Sequence, residues 1–191
     1  MKFFVSIVAL FVSIQGFAGL GEDFRDLKDS AVNYEVVGAV CEEVTRLRFQ
    51  EEFPVTRFGV VTGVEYGDGN RTIGELDVVV FEKGSQKVVR VAEVKCWKNT
   101  EGAIAKARNQ RQRFIRTIRS GGNVHFRSLH NSVQFRKENF QNTADFMAVA
   151  QKGSTLSGFD RELSYELNEL MKLRQMMIEC QNKRQCAAPK H

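Results

Sequence analysis

The chain of 191 residues predicts an α/β fold, a central sheet covered by helices. Three observations carry that expectation. Apolar positions recur first at helical spacing, then with period two through three successive segments, then at helical spacing again. No internal repeat, low-complexity tract or Pro/Ser-rich linker interrupts residues 24–180, which argues for one domain. Hydrophobic residues at 42%, fifteen Phe and only two Pro supply a core and exclude a disordered or collagen-like chain.

The first eighteen residues stand apart. Lys2 gives a positive start, residues 3–14 are apolar except for Ser6 and Ser13, and Gly16-Phe17-Ala18 offers the small residues that a signal peptidase reads. Residues 1–18 therefore read as a secretory signal cleaved after Ala18, leaving a secreted or periplasmic protein. Its apolar run is shorter than the roughly 20 residues that span a bilayer as a helix, and no other stretch is long and apolar enough. No stable membrane span is expected after cleavage.

From Ser30, a plausible N-cap, the positions Val32, Val36 or Val37, Val40, Val44 and Leu47 follow helical spacing, and Pro54 closes the segment. This predicts a first helix of about twenty residues. The period then changes to two. Residues 56–66, 72–82 and 87–97 are β-like, separated by Gly67-Asp68-Gly69-Asn70 and Gly84-Ser85, which predicts an antiparallel meander. Residues 100–119 form a second helix ended by Gly121-Gly122. The segment 123–140, with His125 and His130, shows no assignable pattern, and both histidines read as incidental. Residues 145–150 form a fourth strand that follows a helix and can run parallel to a neighbour. Gly158-Phe159-Asp160 leads into a last helix with Leu163, Leu167, Leu170 and Met177 as its stripe and Leu173 beside it. The expected organisation is a signal over 1–18, one domain over 19–180 and a tail over 181–191.

Export makes the four cysteines candidates for disulfides. Cys180 and Cys186 are the expected pair, because the intervening residues can curl back after a helix and staple the tail. Cys41 and Cys96 can pair or remain buried thiols.

The chemistry concentrates in Gly74-Glu75-Leu76-Asp77 on the second strand, Glu93-Val94-Lys95 on the third, and Gln110 on the helix that follows. Alternation puts Glu75 and Asp77 on one face, and Glu93 and Lys95 on one face. If the hairpin register brings these faces together, three carboxylates and one ammonium converge. Carboxylate oxygens at that density suit Mg²⁺ or Mn²⁺. The bland alternative, a solvated Glu-x-Lys face, is weakened by the flanking sequence. Residues 78–81 and 88–91 are apolar on both faces, so these are interior strands, and charges there are costly unless paired or metal-bound.

At these residues the sequence resembles the PD-(D/E)XK nuclease superfamily, the restriction-endonuclease-like fold. Asp77, about fifteen residues of hairpin and Glu93-Val94-Lys95 carry the likeness, with Gly-Glu-Leu-Asp similar to the form in resolvase-like members; Leu76 stands before the Asp where Pro is the named residue. The resemblance spans about residues 30–150. It implies an α-β-β-β-α-β core with a mixed sheet flanked by helices, here with an added C-terminal helix. It further implies that Asp77, Glu93 and the Val94 carbonyl hold the metal while Lys95 orients the attacking water, favours its deprotonation and offsets transition-state charge. Glu35 matches the place of a helix carboxylate acting through water, or is a solvated helix residue. Glu75 can hold a second metal, orient Lys95, or do neither. Gln110 shares an inward stripe with Ala103, Ala107, Phe114 and Ile118, either as a satisfied buried amide or as an active-site contact.

Charge placement points to a polyanion. Residues 95–119 carry eight Lys or Arg against Glu101 alone, whereas residues 19–53 carry nine acids and four bases. Lys98, Arg108, Arg111, Arg116 and Arg119 are the candidate phosphate contacts, with Trp97 a candidate for base stacking. The expectation is an exported Mg²⁺- or Mn²⁺-dependent nuclease hydrolysing phosphodiester bonds, DNA ahead of RNA, with little sequence specificity. Two alternatives stand beside it. One is a secreted nucleic-acid-binding protein of the same fold that no longer cuts. The other is a secreted interaction domain whose acidic cluster is structural.

Overall fold

The computed structural model describes residues 15–143 and 145–189, with side chains from Gly19 onward. Most of the expected signal segment lies outside the described residues. Helix α1 (Gln15–Leu27) is followed by α2 (Ala39–Glu52), β1 (Phe58–Gly67), β2 (Thr72–Glu82), β3 (Val88–Val94) and α3 (Thr100–Arg119). Then come β4 (His125–Ser128), the short α4 (Lys137–Phe140), β5 (Asp145–Ala150), a 3₁₀ turn at Ser154–Ser157, β6 (Arg161–Glu162) and α5 (Leu167–Asn182). The strands form one mixed sheet in the order β4-β1-β2-β3-β5-β6. The meander is antiparallel, while β5 runs parallel to β3, as expected for a strand reached through a helix.

β2 is buried on both faces. Val78 and Val80 pack with Val40, Val44, Leu170, Leu173 and Met177 from α2 and α5, whereas Val79 and Phe81 pack with Phe114, Phe135 and Phe140 from the α3 side. Asp77 has the parity of Val79, and Glu93 that of Val91, so both belong to the α3 side of the sheet.

The first predicted helix is shorter than its periodicity suggests. Ser30 caps nothing in α2; its hydroxyl donates to the Leu27 carbonyl at 2.9 Å and lies 2.6 Å from the Tyr34 hydroxyl, closing α1 instead. α2 starts only at Ala39, because Gly38 adopts a positive φ of 112° that a helix cannot continue through. Val36 and Val37, counted in the stripe, are exposed. The last helix likewise begins at Leu167 and not at 160, with Leu163 held in extended chain by its amide bond to the Ala150 carbonyl. The unassigned segment 123–140 supplies β4, antiparallel to β1, and α4.

Both cysteine pairs are joined. Cys180–Cys186 ties back the tail, whose Ala187 amide donates to Lys28 and whose neighbour Gln181 donates to Val32. Cys41–Cys96 joins the first turn of α2 to the residue two beyond β3. No helix among the described residues is long and apolar enough to cross a membrane.

Candidate active site

The β2–β3 register sets Val78 opposite Ala92, which brings Asp77 to the end of β3. One carboxylate oxygen of Asp77 accepts the Val94 amide at 2.7 Å and the Lys95 ammonium at 2.5 Å. The same ammonium lies 3.0 Å from the Val94 carbonyl and 3.6 Å from a Glu93 oxygen. Three oxygens from Asp77, Glu93 and Val94 thus face a single positive charge. All three charged side chains are buried, at 5% exposure for Asp77, 4% for Glu93 and 8% for Lys95. Neither Glu93 oxygen has a hydrogen-bond partner among the described residues. An unpartnered buried carboxylate carries a large desolvation penalty, which a bound cation would offset.

The electrostatics record that tension. Burial and then the Asp77 charge push the Glu93 carboxyl well above its ordinary value of 4.5, with Lys95 and Arg113 opposing. Glu75, on the same face as Asp77, is raised by burial, then by Asp77 and Glu65. Burial acts to lower Lys95, but Asp77 and Glu93 outweigh it and hold the ammonium above its ordinary value. The two carboxylates thus favour the charged form of Lys95.

Glu35 does not join this group. It sits in the exposed loop before α2, its amide bonded to the Asn33 side chain and its carbonyl to Arg174. The helix carboxylate that interacts electrostatically with the site is Glu42, raised well above 4.5 by burial, then by the charges of Asp77 and Glu75. Its neighbour Glu43 faces elsewhere, accepting from Thr62 and Arg46 at 2.8 Å each. Nothing in the sequence separates Glu42 from Glu43, since both fall in the first turns of one helix. Only the position of the helix start decides.

Gln110 is half-buried in the α3 stripe, and its side-chain carbonyl oxygen is buried without a partner. Arg113, absent from the sequence-based set, acts through its charge on both Glu93 and Tyr66. Tyr66 explains the glycine of Gly-Glu-Leu-Asp: a Cβ on Gly74 would stand 2.5 Å from the Tyr66 hydroxyl oxygen. Tyr66 could therefore not occupy its place over a larger residue.

The basic residues divide along α3. Arg108 and Arg111 line a cavity of about 270 Å³ together with Glu93, Val91 and Phe146. Arg116 lies further along the helix, on a groove shared with Gln110 and Arg113, and Arg119 and Lys98 are exposed at either end. Trp97 is half-buried against the α3 residues, with Lys106 4.7 Å above its ring, so one face is already covered. A larger hollow, about 730 Å³, is lined by residues of 121–138 and by none of Asp77, Glu93 and Glu75.

The donor set is oxygen only, as hard divalent cations require. Among the described residues no group of three or more His, Cys, Asp or Glu side chains is gathered tightly enough to hold a metal outright. The pair Asp77 and Glu93 with the Val94 carbonyl is what the fold provides. No family model, curated protein or solved structure matches the chain.

Proposed function

We propose that the protein is an exported nuclease of the PD-(D/E)XK type, dependent on Mg²⁺ or Mn²⁺, that hydrolyses phosphodiester bonds of DNA with little sequence specificity. One observation carries this reading: the oxygens of Asp77, Glu93 and Val94 lie around a single cationic point while neither buried Glu93 oxygen has a hydrogen bond among the described residues. Asp77, Glu93 and the Val94 carbonyl would hold the ion, with Glu42 and Glu75 at its margin. When bound, the ion supplies Lewis acidity to the phosphate and lowers the pKa of a water.

The chain's own groups supply the remainder. Lys95, kept charged by its carboxylate neighbours, orients the attacking water and offsets the negative charge that develops as the water oxygen bonds to phosphorus and the bond to the leaving oxygen breaks. Gln110 has a free carbonyl oxygen to orient a water proton. Arg108, Arg111 and Arg113 bring positive charge beside Glu93 for the substrate backbone. Two disulfides fit an oxidising destination outside the cytoplasm, in keeping with the signal expected over residues 1–18.

The test is cleavage of plasmid, linear DNA and RNA with Mg²⁺ or EDTA. Metal-dependent cleavage that Lys95→Ala loses is expected, and robust cleavage by Lys95→Ala removes the role assigned to it. Binding without turnover across several metals would make the protein a nucleic-acid-binding member of the same fold.

A further inference from the structure

The two cysteines that the sequence leaves undecided flank the site on both sides. Cys41 immediately precedes Glu42, and Cys96 immediately follows Lys95, across a separation of 55 residues. Both are buried, and their bond joins the first turn of α2 to the chain just after β3. Ala39 and Val40 in that first turn are buried in the core, so what the turn lacks is a cap. Its N-cap is Gly38 with no side-chain cap, and exposed Val36 and Val37 precede it. Beyond the turn, the helix is also held by buried Val44, Leu47 and Phe49 and by the Arg48 pair with Asp23. The bond fixes the backbone beside both Glu42 and Lys95, whose charges act on one another.

Resting on the nuclease reading of this site, we propose that Cys41 and Cys96 are positioning residues whose disulfide holds Glu42 in the carboxylate group, so that cation binding and cleavage belong to the oxidised protein. Reduction by a dithiol moves two electrons and two protons onto the two sulfurs and leaves the reductant as a disulfide. The reverse exchange with a disulfide oxidant restores the bond. The protein is then latent where thiols are kept reduced and active after export. The second bond, Cys180–Cys186, closes a short loop beyond α5 and serves as an internal control.

The experiment titrates Mn²⁺ calorimetrically into oxidised wild type, C41S/C96S and C180S/C186S, with circular dichroism for fold and plasmid cleavage across Mg²⁺ concentrations. C41S/C96S is expected to keep its secondary structure, to bind Mn²⁺ about 10- to 100-fold more weakly, and to recover cleavage at high Mg²⁺. C180S/C186S should match wild type. E42Q should weaken binding in the oxidised wild type and add nothing in the C41S/C96S background, a non-additivity that a general loss of stability would not produce. Wild-type Mn²⁺ affinity in folded C41S/C96S overturns the inference. So does failure to fold by both C41S/C96S and the apolar pair C41A/C96V, because the bond would then hold the fold and not the site. Mn²⁺ binding without cleavage by oxidised wild type defeats the nuclease reading alone.

Discussion

At the start of β3, Arg90 pairs with Asp145 at 2.6 Å and with Glu52 at 2.7 Å, and Glu52 also takes Arg161 at 2.6 Å. Arg90 stacks on Phe49 and Phe53 as well. At the far end of the same strand, Glu93 and Asp77 share one lysine, and Glu42 and Glu75 add charge without adding a cation. The two ends shift their carboxyls in opposite directions. Burial would raise Glu52, but hydrogen bonds from Arg161 and Arg90 outweigh it and hold it below 4.5, whereas Glu93 and Glu42 stand well above that value. A satisfied network is what a fold needs from charge. An unsatisfied one is kept at a cost in stability, and such sites are where function concentrates.

The sharpest way to break that contrast is by substitution at each end. Asp77→Ala or Glu93→Ala should lower DNA cleavage by about 100-fold or more, measured at saturating Mg²⁺, while Arg90→Ala leaves it within a few-fold. Equal losses at both ends would erase the distinction between structural and functional charge.

Acidity separates the ends next. Glu93 and Glu42 are raised, so their contribution to metal-free stability is complete below about pH 4.5 and is lost as pH rises through their folded pKa. Glu52 is depressed, so its contribution is present above that pH and is lost as pH falls through its folded pKa. Melting temperature in EDTA should accordingly decline as pH rises above 4.5, with Mg²⁺ removing the decline and Glu93→Gln flattening it. A flat profile in EDTA would contradict the unsatisfied cluster.

Smaller effects follow at the paired end and on the basic helix. Arg90→Ala should cost about 1 to 2 kcal/mol, read as a fall in Tm of roughly 2–8 °C, with cleavage retained. Arg116→Ala and Arg119→Ala should each reduce the salt slope of DNA binding by about one, without changing which sequences bind. An unchanged slope would move the phosphate path off the outer half of α3.

Much of the architecture is legible in local pattern. The bounds of β2 and α3 follow from the turn residues on either side of the strand and from Gly121-Gly122, and the parity of Glu75, Asp77, Glu93 and Lys95 follows from strand geometry alone. The pairing of Cys180 with Cys186 is legible for the same reason, being short-range. The segment 123–140 is not. β4 is four residues long, half exposed, and exists only because β1 offers it an edge.

By itself, then, the sequence determined the order of elements, the face on which each candidate side chain stands and the separation of acids from bases along the chain. Tertiary structure alone decided that Asp77 meets Val94 and Lys95, that Glu42 and not Glu35 comes to the site, and that Cys41 bonds Cys96. The division has one physical cause. Facing within an element is fixed by backbone periodicity over a few residues, but partnership between elements depends on strand register and on where a helix begins. Register is set here by pairing between strands, with an irregularity between Val80 and Phe81, and the helix start by the positive φ at Gly38, which apolar periodicity does not reveal.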